Sequence, residues 1–223
     1  MADDLLESLE LETAPSPGAA VIWMHGLGAD GYDFVDVPPM LGLPKSLAVR
    51  FVFPHAPMMP VTINGGMVMR AWYDVLMAGG ARQGDEQGLR ASQKKVEALI
   101  ARYTSRGIPA GRLVLAGFSQ GGAMTFQTGL RHPERLAGLM ALSCYLPLAE
   151  TVAGEAHAAN RDVPIFFAHG TGDASIPIER ARRGRETLTA LGYGIEWHEY
   201  PMPHSVCDAE LRDIGAWLTR ILA

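Results

Sequence analysis

Gly117-Phe118-Ser119-Gln120-Gly121 follows Arg112-Leu113-Val114-Leu115-Ala116 and precedes Gly122-Ala123-Met124, so a serine stands where an apolar strand turns sharply into a helix. Glycines on both sides permit a tight, strained turn that lifts the serine oxygen above the sheet, the layout of a nucleophile elbow. A serine hydroxyl is a weak nucleophile at neutral pH. The reading therefore requires a histidine base and a carboxylate to orient it, in the chain order Ser, Asp, His. Asp173, in His169-Gly170-Thr171-Gly172-Asp173, follows the apolar run Pro164-Ile165-Phe166-Phe167-Ala168 and comes shortly before a helix that Pro177 opens. His204, in Tyr200-Pro201-Met202-Pro203-His204-Ser205, lies between a strand-like stretch and a helix with apolar Leu211, Ile214, Leu218 and Ile221. An isolated Asp before a helix reads as a capping or turn residue; in ordered series with Ser119 and His204 it reads as the acid. His169 precedes the acid and would invert the order, so it is expected to be packed or hydrogen-bonded near the site. His132, before Pro133, is expected at a helix end, where a cation suits the dipole.

The strand Ala19-Ala20-Val21-Ile22-Trp23-Met24 runs into His25-Gly26-Leu27-Gly28-Ala29-Asp30-Gly31. This loop satisfies Gly-x-Gly-x-x-Gly, the form of a dinucleotide fingerprint, and so admits a nicotinamide-dependent oxidoreductase. That fingerprint also wants an acidic residue about 20 positions on. Here Arg50-Phe51-Val52-Phe53 ends in Pro54-His55 instead. The second reading makes the Leu27 amide half of an oxyanion hole, completed by the amide of Gln120, the residue after the nucleophile. In that role both residues act through main-chain N–H groups, and their side chains need not be polar.

Around these signals, near-continuous apolar strands alternate with amphipathic helices, as in a parallel sheet covered on both faces. Strands are predicted near residues 19–24, 49–53, 112–118, 136–142, 163–168 and 194–200, with an edge strand over 9–13. A helix after Asp85 carries Leu89, Val96, Leu99, Ile100 and Tyr103 on one face and stops near Gly107. The segment 54–80 lacks a clear period yet holds Met58, Met59, Met67, Met69, Met77, Trp72 and Tyr73. It leaves the same sheet edge as Ser119. Met67, Met69 and Trp72 are therefore expected to line an acyl pocket, with core filling as the alternative for each methionine.

A chain of 223 residues with 48% hydrophobic content can bury one large core, and no linker or repeat divides it, so residues 1–223 are expected to form a single domain. A net charge of −5, with no basic stripe beyond Arg180, Arg182, Arg183 and Arg185, argues against a nucleic-acid partner. That arginine group reads as a solvated helix face. No stretch is long and apolar enough to span a membrane, and the start lacks the pattern of a signal peptide. Only Cys144 and Cys207 occur, which suits a reducing cytoplasm, and no spaced Cys or His cluster suggests a metal.

Taken together, several motifs resemble the α/β-hydrolase carboxylesterases related to acyl-protein thioesterases and lysophospholipases. They are residues 25–31, Pro54-His55-Ala56-Pro57, Pro60-Val61-Thr62-Ile63-Asn64-Gly65-Gly66, Trp72-Tyr73-Asp74, Gly117 to Gly122 and His204-Ser205, spread over nearly the whole chain. The resemblance implies an α/β-hydrolase fold without a large lid, a Ser119–Asp173–His204 triad, an oxyanion hole from the amides of Leu27 and Gln120, and no cofactor. It implies a serine carboxylesterase acting on esters or thioesters of short to medium acyl chains, with a small-molecule ester, a lysophospholipid or an acylated protein as substrate. A monomer or a homodimer is expected, and a non-catalytic ligand-binding member of the fold is the alternative from another class. One departure from the family is Asp173-Ala174-Ser175-Ile176-Pro177, where a proline or bulkier residue often follows the acid.

Overall fold

The computed structural model describes residues 5–79 and 81–223. Gly80, the predicted end of the methionine-rich segment, and residues 1–4 at the chain start lie outside the described residues. The strands are β1 (Ser8–Glu12), β2 (Ala19–Met24), β3 (Val49–Pro54), β4 (Met58–Val61), β5 (Met67–Arg70), β6 (Val75–Ala78), β7 (Ala81–Gly84), β8 (Leu113–Phe118), β9 (Gly138–Leu142), β10 (Ile165–Gly170) and β11 (Ile195–Tyr200). The helices are α1 (Glu86–Ser105), α2 (Gln120–Gly129), the single turn α3 (Val152–Glu155), α4 (Ile178–Ala190) and α5 (Asp208–Leu222).

Seven strands form one sheet in the order β1-β3-β2-β8-β9-β10-β11. Only its edge strand β1 runs antiparallel, and every other neighbouring pair is parallel. The central strands β2 and β8 are apolar almost throughout and buried on both faces, as a covered parallel sheet requires. The chain leaves β2 outward to β3 and then crosses to β8 on the other side of β2. The crevice above the carboxyl ends of β2 and β8 is thus a topological switch point, where open α/β sheets bind ligands. Met24 pairs with Gly117 there, so the loops after the two strands start side by side.

Helices cover both faces. One core joins Leu89, Val96, Leu99, Ile100 and Tyr103 of α1 to Met124 and Phe126 of α2 and Ala181 and Leu188 of α4. The other places Leu211, Ile214, Trp217 and Leu218 of α5 against Val21, Trp23, Phe51 and Phe166. Asp85 starts α1 by accepting the amide of Gly88 at 2.6 Å, an N-cap that satisfies one orphan donor of the first turn.

The segment after Pro54 departs from the aperiodic loop expected of it. It folds into two hairpins, β4 with β5 and β6 with β7. Asp74 joins them by accepting the backbone N–H of Thr62 at 2.7 Å and that of Val75 at 2.8 Å. His132 also departs from expectation. It lies beyond the end of α2, buried, and burial lowers its pKa, so it carries no helix-end charge.

Glu210, in the first turn of α5, is fully buried, close to the backbone N–H of Cys207 and with no ion-pair partner among the described residues. Burial raises its pKa from 4.5 to about 8. A carboxyl raised in this way favours folding below its unfolded value, and that contribution is lost as pH rises through about 8. Glu210→Gln removes the ionisation while keeping the shape. Chemical denaturation of both proteins across pH 5–9 should show the wild type losing stability relative to the variant as pH rises, and parallel profiles would contradict this.

Candidate active site

Ser119 occupies the single residue between β8 and α2, at φ 57° and ψ −117°. That region is disfavoured for a residue with a Cβ and persists only where the surroundings enforce it. The enforcement is steric. A Cβ on Gly117 would fall 2.1 Å from the carbonyl carbon of Gly121, and one on Gly121 would fall 2.1 Å from the carbonyl oxygen of Met24. The helix start therefore packs onto β2 and β8 at a distance only glycine allows. The amide of Ser119 is held by the carbonyl of Leu142, at the end of β9, at 2.9 Å.

The structure brings Ser119, His204 and Asp173 together from the ends of three sheet strands. His204 Nδ1 lies 2.6 Å from Asp173 Oδ2, and its Nε2 lies 3.0 Å from Ser119 Oγ. A carboxylate can only accept, so Nδ1–H donates to it, which leaves Nε2 free to accept the serine O–H. The Asp173 side chain is fully buried; its Oδ1 accepts the amides of Ser175 at 2.8 Å and Ile176 at 2.9 Å. These bonds aim Oδ2 at the imidazole. The loops carrying the acid and the base are themselves joined, since Gly172 N–H donates to Met202 O at 3.1 Å and Thr171 N–H to Tyr200 O at 2.8 Å. On its other side the His204 ring packs 4.7 Å from Phe118, which continues to Phe34 and Trp23.

His169 is buried, and its Nε2 lies 2.8 Å from Ile176 O and 3.4 Å from Asp173 Oδ2. It braces the acid loop, the packed and hydrogen-bonded position that its place in the chain suggests. Burial lowers its pKa, so it stands neutral beside the acid.

Leu27 and Gln120 line the same cleft as Ser119. Among the described residues neither main-chain N–H donates to another protein group, whereas the N–H of Gly28 is engaged by Arg70 O at 2.9 Å. Two free amides in the cleft that holds the serine oxygen can stabilise an oxyanion formed from a carbonyl it attacks. The glycine-rich loop leads into turns and a short 3-10 helix at Pro38–Leu41, not into an α-helix. It therefore lacks the helix N-terminus on which a dinucleotide pyrophosphate would sit.

His25 fixes this loop. Its Nδ1–H donates to Gly26 O at 2.7 Å, and its Nε2 accepts the amide of Ala56 at 3.0 Å. Both bonds need the neutral ring, and burial lowers its pKa to about 4. Trp72 Nε1–H donates to the carbonyl of His25 at 2.9 Å. The side chain of Gln120 accepts the amide of Trp72 at 3.0 Å and donates to Tyr73 O at 2.9 Å. Its side chain thus has a structural role, beside its free main-chain amide, that the elbow motif alone does not reveal.

The cleft has a volume of about 260 Å³, and its apolar walls include Ile63, Val75, Phe118 and Ile176. Met67, Met69 and Trp72, expected in those walls, are not among its lining residues. Trp72 is buried beneath it, holding the His25 loop. Met67 is 64% exposed on the β4–β5 hairpin, and the sulfur of Met69 accepts the side-chain amide of Asn64 at 3.2 Å. The hairpin pairing sets these directions, and it leaves no trace in the apolar periodicity. Arg82, Tyr145 and Arg180 line the cleft instead. Arg180, read from sequence as part of a solvated face, lies 4.0 Å over the Tyr145 ring. Its position in the first turn after the acid loop is the signal that could have placed it.

Among the described residues no cluster of His, Cys, Asp and Glu is arranged to hold a metal ion, and no helix is long and apolar enough to cross a membrane.

The sequence profile of the phospholipase/carboxylesterase family matches residues 11–222. Acyl-protein thioesterase 1 of Gibberella zeae is 37% identical, with 100% of this chain and 98% of that protein aligned. Acyl-protein thioesterase 1 of Mycosarcoma maydis is 38% identical over 92% of each chain. Among solved structures, SOBER1 of Arabidopsis thaliana superposes with a TM-score of 0.85 at 30% identity, covering 92% of this chain and 99% of its own.

Two predictions test this framework. Because the folded pKa of His25 is lowered, its contribution is present above about 6.5 and is lost as pH falls toward about 4. The loss amounts to at most ~3 kcal/mol, and His25→Gln should flatten it; a wild type whose stability is level over that window would contradict the placement. Gly121→Ala should cost about 1–3 kcal/mol by overpacking, read as a lowered Tm, and an unchanged Tm would show that the elbow tolerates a Cβ.

Proposed function

This chain belongs to the phospholipase/carboxylesterase family of α/β-hydrolases, and from that premise we propose how its own residues carry out the reaction. The protein is a serine hydrolase of carboxylic ester and thioester bonds. Ser119 is the nucleophile, His204 the base and Asp173 its orienting carboxylate. As Ser119 Oγ attacks the carbonyl carbon, its proton passes to His204 Nε2, and the imidazolium is steadied by Asp173. The oxyanion receives the N–H groups of Leu27 and Gln120. Collapse expels the alcohol or thiol, protonated from His204, and leaves an acyl group on Ser119. Water, deprotonated by the same histidine, then releases the acid.

The observation that carries this assignment is the unbroken hydrogen-bond chain from Ser119 Oγ through His204 to Asp173, at 3.0 and 2.6 Å. The cleft of about 260 Å³ suits acyl chains of short to medium length. Relatives named as acyl-protein thioesterases support acylated proteins, beside small esters, as substrates. Residues 1–223 act as one α/β-hydrolase domain in the cytoplasm, as a monomer or a homodimer.

Ser119→Ala should lower kcat on the order of 10⁶-fold with the fold intact by circular dichroism, and His204→Ala should lower it comparably. An active, folded Ser119→Ala protein would overturn the assignment. Turnover of neither esters nor thioesters by the wild type would overturn the reading as a whole.

A further inference from the structure

Arg82, on the β6–β7 hairpin, and Arg180, in the first turn of α4, both line the cleft that holds Ser119. The same two side chains, with Tyr145, also line a second depression of about 230 Å³. They therefore stand at the junction between the reacting centre and an adjoining recess. Among the described residues neither guanidinium forms an ion pair with a carboxylate. This sets them apart from Arg182 on the same helix, which holds Glu199 at 2.8 Å. The acidic residues along the two hollows, Asp33 and Glu150, pair with neither.

Arg180 is held in place without being neutralised. Its guanidinium lies 4.0 Å over the ring of Tyr145, whose hydroxyl donates to that of Tyr73 at 3.1 Å. Stacking on an aromatic face leaves the edge of the guanidinium, with its N–H fork, available to a ligand. Burial raises the pKa of both tyrosines, so the platform itself supplies no negative charge. The start of α4 adds the positive end of a helix dipole beside Arg180.

Two unpaired guanidiniums beside a serine nucleophile suit an anion, and their planar donors match carboxylate or phosphate oxygens. We propose that Arg82 and Arg180 select esters bearing a negatively charged group remote from the scissile carbonyl, which they bind at the mouth of the recess while Ser119 attacks. The selection rests on the reading of the cleft as the site of acyl transfer.

Paired substrates test it. One pair carries the charge on the acyl side, the para-nitrophenyl half-ester of glutaric acid against its methyl-capped twin. The other carries it on the alcohol side, the butyryl ester of glycerol phosphate against that of glycerol. In at least one pair the wild type should favour the anion in kcat/KM by about tenfold or more, the size of a charge-assisted contact. That pair identifies which side of the substrate reaches the arginines. Arg82→Gln and Arg180→Gln should each shrink the ratio, the double variant should bring it near one, and Arg180→Lys should keep part of it. The ratio compares two substrates on one protein, so partial misfolding of a variant does not alter it. Added salt should weaken the preference. Equal turnover of both members of each pair by the wild type, or an unchanged ratio in the double variant, would overturn the arginine assignment alone. Absence of all turnover, with no fluorophosphonate adduct on Ser119, would overturn the hydrolase reading beneath it.

Discussion

The backbone of Ser119, at φ 57° and ψ −117°, is the constraint around which the site is arranged. A non-glycine residue there costs roughly 1–3 kcal/mol, and the surrounding fold supplies what holds it. Gly117 and Gly121 let α2 start in contact with β8 and β2, and the carbonyl of Leu142 holds the serine amide from the next strand. The same turn lifts the hydroxyl toward the base and leaves the amide of Gln120 free of main-chain partners among the described residues. Relaxing it would displace the Ser119 hydroxyl and the Gln120 amide together. The elbow also explains why the parallel sheet matters. Only adjacent, parallel β2 and β8 bring the His25–Gly28 loop and Ser119 to one crevice.

Around that point, buried polar groups are held by complete sets of hydrogen bonds. The Asp173 carboxylate accepts two backbone amides and the Nδ1–H of His204, which fix the direction in which it faces the imidazole. His25 is held in a different way. One ring nitrogen donates and the other accepts, so an added proton would face the Ala56 N–H, and burial compounds the penalty. Neutral His25 thereby ties the His25–Gly28 loop to Ala56. The Gln120 side chain ties the Trp72–Tyr73 backbone to the elbow, which fastens the hairpin segment to the turn that holds Ser119.

Much of this frame is legible in the sequence because parallel strands buried on both faces are written as unbroken apolar runs. The strands around Ala19–Met24, Leu113–Phe118 and Ile165–Gly170 lie where such runs predict them. Ser119, Asp173 and His204 each follow a strand of the main sheet in the chain, β8, β10 and β11. The two hairpins after Pro54 leave no such run, because each strand is only 4 residues long and largely exposed, and Pro60 interrupts β4. Methionine content points to a pocket, but Met67 stands exposed on the β4–β5 hairpin, and the indole of Trp72, between the two hairpins, turns inward to His25. Arg180 was hidden for another reason. A charged residue in an amphipathic helix looks solvated until the ring of Tyr145, from the loop after β9, is seen beneath it.

In the proposed reaction the strained turn presents Ser119 Oγ as the atom that receives the acyl group. Acid quenching within the first turnover of an activated ester, followed by peptide mass analysis, tests it most directly. Rapid release of about one leaving group per active site is expected, with the acyl mass recovered on the peptide containing Ser119. Recovery of the acyl group on another side chain, or leaving-group release with no acylated peptide, would contradict it.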